Sequence, residues 1–246
     1  KSNMCVDYYE YIKPIMYSAG IGKIPYEALH KQEGKKGMLI FKIGGPAFRI
    51  GLGGGSASSR PQDESINDLN AVQRGDPEME NRMNRFVQAC TEMLHRNPIV
   101  KIHDQGAGGM ANVTKEIIEP NGASINIDNV ILGDKTMTPF EIWNAEYQEQ
   151  STILIEEKNV ELVKKIANRE NVPIAYIGKL NNNDRIIVED NKGRQHVNLK
   201  LSDILNNYRR KTYNIKKRET IFPELIIPKQ QEQKVSFLND IKKISH

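Results

Sequence analysis

Apolar residues recur along the chain in two periods, and the switches between them mark the element ends. GMLIFKIGG (37–45) alternates apolar positions and stops on glycines, the pattern of a strand entering a loop. Over 76–96, Met79, Met83, Phe86, Val87, Cys90, Met93 and Leu94 fall at helical spacing. Asp76 is suited to cap that helix, Pro77 to its first position, and Asn97 and Pro98 to its end. IVKIH (99–103) reads as a short buried strand. GMANVTKEIIE (109–119) reads as a helix stopped by Pro120 and Gly122. ASINIDNV (123–130) predicts a strand, and TPFEIWNAEYQ (138–148) a short helix capped by Thr138 with Pro139 at its start. STILIEE (151–157) is a strand and NVELVKKIANRE (159–170) an amphipathic helix.

IAYIGKL, DRIIVED and QHVNLKL are three further strands, separated by NNN and NKG turns and read as a small antiparallel set. LSDILNNY closes the series as a helix with Ser202 near its start. The alternation predicts an α/β (α+β) fold, a mixed β-sheet packed with helices. The organisation expected is a connecting segment over 1–36, one domain over 37–208, and a basic linker over 209–246 with one helix near VSFLNDIKKI.

Composition adds a few limits. The chain has 246 residues with 38% hydrophobic content, lean but enough for a core at this length. The net charge of +4 is concentrated in NNYRRKTYNIKKRE (206–219), and a solvated surface explains it more simply than a nucleic-acid partner. Two cysteines, Cys5 and Cys90, have neither metal-site nor disulfide-framework spacing, which points to a reducing, cytoplasmic setting. No apolar run of about 18 residues is present, so no membrane partner is expected. The chain opens on Lys1 in mid-pattern and is read as a fragment of something longer.

Candidate chemistry gathers in four stretches. HDQGAGG (103–109) joins a strand end, a glycine turn and a helix N-terminus, where backbone N–H groups and the helix dipole favour anions. Asp104 there reads either as a Mg²⁺ ligand, with Gly106, Gly108 and Gly109 as a phosphate-approach surface, or as an N-capping residue in an ordinary turn. IGLGGGSASS (50–59) holds four glycines and three serines, including Gly53, Gly54, Gly55 and Ser56. It is an anion nest or a linker, and lacks the Walker A pattern. VQRGDPEME (72–80) sets Gln73 and Arg74 before a helix, as ligand contacts or as loop plus cap. WNAEYQEQ (143–150) clusters Glu146, Gln148, Glu149 and Gln150 before a buried strand, so these groups face a pocket or need internal partners, while Ile142 and Trp143 read as core. His103 adjoins Asp104, but neighbours on a strand point to opposite faces, so no His–Asp relay is read.

The blocks KPIMYSAGIG, IGGPAFRIGLGGGSASS, VQRGDPEMENRMNR, IHDQGAGGMANVTKEI and LGDKTMTPFEIWNAEYQEQ, in this order over about residues 11 to 205, resemble the phosphoribosylformylglycinamidine synthase family in its long single-chain form. The resemblance implies the C-terminal subdomain of the first unit of a synthetase core like that of aminoimidazole ribonucleotide synthetase. It implies ATP and Mg²⁺ as cofactors and formylglycinamide ribonucleotide as substrate. The formamide oxygen is activated by ATP, and ammonia from a glutaminase domain displaces phosphate to form the amidine. Asp104 matches a Mg²⁺-linked acid and Gln73 a substrate contact. Glu146 and Gln148 match the family's Glu-Ser-Gln-Glu-Arg segment, in which Tyr147 and Gln150 here replace the Ser and the Arg. No nucleophilic catalytic side chain is expected. The preceding synthetase subdomain and the glutaminase domain have no counterpart in these residues, so the chain alone is expected to be inactive. In isolation its strands are expected to pair with a second copy as a homodimer. The competing readings are another member of that superfamily, or a non-catalytic nucleotide- or RNA-binding module using the basic tail.

Overall fold

The computed structural model describes residues 19–24, 26, 29, 32–52, 75–147, 149–206, 212 and 214. The chain separates into two units, 1–207 and 208–246, and the first contains all the regular structure described here. Its elements are β1 (Leu39–Gly44), α1 (Pro77–Thr91), β2 (Ile99–Asp104), α2 (Gly109–Ile118), β3 (Gly122–Asn126), α3 (Pro139–Asn144), β4 (Gln150–Ile155), α4 (Val160–Arg169), β5 (Ile174–Asn181), β6 (Arg185–Glu189), β7 (Gln195–Lys200) and α5 (Leu201–Asn206).

The strands form one seven-stranded sheet in the order β2-β4-β1-β5-β3-β6-β7. Every pairing is antiparallel except β3 with β6. Period-two alternation splits the central strands between two cores. Phe41, Ile43, Ile153 and Ile155 meet Met79, Met83, Phe86 and Cys90 of α1 and Val163, Ile166 and Ala167 of α4. On the opposite face, Ile40 and Leu154 meet Met110, Ile117 and Ile118 of α2 and Ile142 of α3. The mixed α+β sandwich expected from the sequence is therefore present.

The caps form as the sequence implies. Asp76 accepts from the Met79 N–H at 3.0 Å with Pro77 in the first turn of α1. Thr138 and Glu141 form a reciprocal capping box on α3. Several boundaries differ. The 76–96 helix ends at Thr91 and resumes as a single 3₁₀ turn over Leu94–Arg96, with Leu94 at φ 53°. The 123–130 strand stops at Asn126, whose side chain accepts from the Asp128 N–H and turns the chain into a 3₁₀ turn. α3 ends at Asn144 rather than continuing to 148, because Ala145 becomes extended and Glu146 and Tyr147 turn into the interior. β2 is half-buried, not buried, because it is the edge strand of the sheet.

The last strands do not form the consecutive antiparallel set expected. β3 lies between β5 and β6, and only β6 and β7 pair as a hairpin. The 181–185 connection passes over the start of β3, where a Cβ on Gly122 would lie 2.6 Å from the Arg185 nitrogen. Glycine at 122 is what lets that connection cross.

Candidate functional site at the glycine bend

β2 delivers Asp104 to the end of the sheet, opposite Ser151 of β4. The Asp104 side chain is 88% exposed and so faces solvent. It does not cap α2: the N-cap is Gly108, at φ 84°, with no side-chain cap bond, which removes the capping alternative. His103 pairs through Nε2 with Glu116 of α2, a partner the sequence reading missed. Its Nδ1 lies 3.7 Å from Asp104 Oδ1, too long for a relay hydrogen bond. Partial burial raises the Glu116 carboxyl, but hydrogen bonds from His103 and Asn112 more than offset this and leave it lowered.

The bend itself closes by the Gly109 N–H donating to Gly106 O at 3.0 Å. The Gly108 N–H donates to Glu146 Oε1 at 2.6 Å. Two of the three glycine amides are thus used internally, and the glycines serve close approach of the backbone rather than those two donors. At Gly109 (φ 58°) a Cβ would stand 2.6 Å from Ala145 O and 2.7 Å from Asn144 O. The end of α3 rests directly on the bend.

Glu146, 3% exposed, joins this bend to the start of the second glycine segment. Its N–H donates to Ile50 O at 3.1 Å, and at Gly51 (φ 65°) a Cβ would lie 2.6 Å from the Glu146 Cβ. Arg49 anchors the same segment: Nη1 meets Asp134 Oδ2 and Nε meets Glu141 Oε1, both at 2.7 Å. Chiefly through the Arg49 hydrogen bond, the Glu141 carboxyl is held down at about 2. The structure therefore brings together Asp104, Gly106, Gly108, Gly109 and Glu146. Gly53, Gly54, Gly55, Ser56, Gln73, Arg74 and Gln148 lie outside the described residues, as do Cys5 and the 215–246 stretch.

Beneath the bend lies a buried polar group that sequence reasoning missed. Lys42 of β1, 3% exposed, donates through Nζ to Gln105 Oε1, and its ammonium sits 5.6 Å from the centroid of the Tyr147 ring. Burial lowers the Lys42 ammonium to about 7 and pushes the Tyr147 phenol up to about 12. Tyr147 lies toward Gln105, but among the described residues its hydroxyl has no hydrogen-bond partner, and Gln150 Oε1 and Thr152 Oγ1 are likewise buried without one. A charged residue on the core face of a central strand, in LIFKIG, was the available signal.

Among the described residues, no group of three or more His, Cys, Asp or Glu side chains is placed to hold a metal. One exposed carboxylate beside a backbone bend suits a cation that keeps its waters and takes phosphate oxygens, as Mg²⁺ does. The donor set fits that use and does not fit an all-protein cage. Among the described residues, no helix is long and apolar enough to cross a membrane.

Similarity to known proteins extends over most of the chain. A probable phosphoribosylformylglycinamidine synthase, chloroplastic/mitochondrial, of Arabidopsis thaliana is 47% identical over 218 residues, covering 83% of this chain and 16% of that protein. The Dictyostelium discoideum phosphoribosylformylglycinamidine synthase is 44% identical, covering 90% and 17%. That of Homo sapiens is 45% identical, covering 74% and 14%. The chain thus spans about a sixth of the length of these curated relatives. A Thermotoga maritima PurL complexed with FGAR shares the fold with a TM-score of 0.66 at 21% identity, covering 77% of this chain and 31% of that one. The same PurL complexed with ATP gives 0.61 at 20% identity, covering 79% and 30%. Residues 35–191 match the family described as AIR synthase related protein, C-terminal domain, and the chain belongs to that family.

Proposed function

We propose that this chain forms part of an ATP-dependent synthetase that converts formylglycinamide ribonucleotide to its amidine in purine biosynthesis. The relatives named phosphoribosylformylglycinamidine synthase support the reaction, and the PurL structures bound to FGAR and to ATP support the two ligands. The observation that carries the reading is the junction at Glu146. One buried residue ties the two: its carboxylate accepts from Gly108 in the Asp104 bend, and its backbone N–H donates to Ile50 O at the entry to the 51–59 glycine segment.

On this reading Asp104 holds Mg²⁺, which supplies charge neutralisation to nucleotide phosphates. Glu146, Gln148 and Gln73 meet the formylglycinamide ribonucleotide. Gly53, Gly54, Gly55 and Ser56 approach the phosphates with Gly106, Gly108 and Gly109. Such chemistry asks for positioned charges and donors rather than a side-chain nucleophile. Ammonia comes from a glutaminase domain of a longer parent chain, which also carries the other synthetase subdomains. The cytoplasm is the compartment proposed, in keeping with Cys90 as a buried free thiol.

The test uses an uninterrupted synthetase carrying this sequence, assayed with ATP, formylglycinamide ribonucleotide and an ammonium salt. Asp104→Asn is expected to lower kcat/KM on the order of 100-fold and to raise the Mg²⁺ requirement. The present chain alone is expected to give no sustained ADP. Unchanged kinetics in Asp104→Asn, or sustained ADP from the chain alone, overturns the reading.

A further inference from the structure

We infer that Lys42 is a positioning residue for the glycine bend: through Gln105 and the Tyr147 ring it fixes the chain on both sides of Glu146. The inference rests on the proposed function only for its consequence in substrate binding.

The path is short and buried. Lys42 stands on the α2 face of β1, cross-strand from Thr152. Its Nζ donates to Gln105 Oε1, and Gln105 is 3% exposed. Gln105 in turn directs its donors to residues on either side of Glu146. Its Nε2 donates to Ala145 O at 3.2 Å, and its backbone N–H donates to Gln150 O at 2.9 Å. The Tyr147 ring, 1% exposed, lies over the same ammonium at cation–π distance. Ala145 and Tyr147 flank Glu146 in sequence, so both of its neighbours are referred to one ammonium. Gln105 is also in the bend, one residue after Asp104. Lys42 therefore sets the two halves of the site against each other: the strand-end acid on one side and Glu146, which accepts from Gly108, on the other.

Stability does not account for a lysine at this place. Among the described residues its ammonium is met by an amide oxygen and an aromatic face, not by a carboxylate. Burial disfavours its charged form. Methionine has a similar length and no charge to desolvate, so an apolar residue here would fill the space without that penalty. What methionine lacks is the donor that orients Gln105. An unoriented Gln105 leaves the Ala145 O contact unfixed and holds Glu146 less firmly against Gly108.

The experiment reads the Gly108 amide, which reports the bond to Glu146 directly. Hydrogen exchange by NMR is measured on the full chain and on Lys42→Met, Gln105→Leu and the double variant, with urea unfolding in parallel. Lys42→Met is expected to speed Gly108 exchange at least about tenfold while the unfolding midpoint stays level or rises. If Lys42 acts through Gln105, the double variant exchanges no faster than the faster single variant. Unchanged Gly108 exchange in Lys42→Met overturns the inference, as does a double variant whose effect is the product of the two singles. Should Lys42→Met fail to fold, Gln105→Leu alone decides: unchanged exchange there refutes the path, and faster exchange supports it. In the complete synthetase, the KM for formylglycinamide ribonucleotide is expected to rise with the exchange rate. Faster exchange with an unmoved KM upholds the positioning role and refutes the substrate role proposed for Glu146.

Discussion

Replacing Gly109 by alanine puts a methyl group where the structure has the backbone of α3's last turn. The new Cβ would lie 2.6 Å from Ala145 O and 2.7 Å from both the carbonyl carbon and the oxygen of Asn144. Backbone at these distances has to move by more than half an ångström before the contact is tolerable, and overpacking of this kind costs about 1–3 kcal/mol. The left-handed backbone at φ 58° adds about 1–2 kcal/mol for any residue with a Cβ. The expected destabilisation is therefore about 2–5 kcal/mol.

Two neighbours calibrate that figure. Gly108 is also left-handed, at φ 84°, but among the described residues its Cβ would meet the Asn112 side chain, at 3.0 Å, and no backbone, so Gly108→Ala is expected to cost about 1–2 kcal/mol. Gly106 has ordinary backbone, and among the described residues nothing is nearer than Asp104 Oδ2 at 3.8 Å, so Gly106→Ala should fall between neutral and about 1 kcal/mol stabilising. Urea unfolding followed by the fluorescence of Trp143, the single tryptophan, reads the event from α3 itself. The order Gly109 above Gly108 above Gly106 is the prediction. A Gly108→Ala variant as destabilised as Gly109→Ala would refute the close packing of α3 on the bend.

Two further predictions follow from the charges and the thiol. Arg49→Met removes the main cause that holds Glu141 at about 2, so its carboxyl should rise toward the ordinary value of 4.5. A carboxyl lowered in the folded state contributes stability that is present above 4.5 and lost as pH falls toward about 2, so the variant should lose that contribution and its acid unfolding should move to higher pH. Circular dichroism against pH checks this, and coincident curves would contradict it. Cys90 is fully buried, and burial pushes its thiol up to about 11, so iodoacetamide at mildly alkaline pH should spare it in the folded chain and modify it in denaturing urea. Peptide mapping by mass spectrometry decides, and rapid modification of Cys90 without urea would show that the Cys90 face of α1 does not pack against the sheet and α4.

What the sequence could determine was local or periodic. Asp76 and Thr138 were legible as caps because a cap is settled within three or four residues of chain. The apolar faces of α1 and α4 follow from a repeat set by the helix alone. The crowding of glycines around Asp104 marked the bend, since only close approach or left-handed backbone calls for so many. Tertiary structure decided whatever depends on pairing across distance. Turn residues between β5 and β6 suggested a hairpin, yet β3, some fifty residues earlier in the chain, takes the place between them, because hydrogen bonding along a sheet edge carries no local signature. Glu146 read from the sequence as a group facing a pocket or needing an internal partner, with a substrate contact implied by the family resemblance. Its role as the link between two glycine segments arises because α3 stops early and turns it inward. Lys42 lies 63 positions from Gln105 and 105 from Tyr147, so no window on the chain could have placed the three together. Burial and long-range contact are properties of the packed sheet, and they turned a run of polar letters into one connected set of buried contacts.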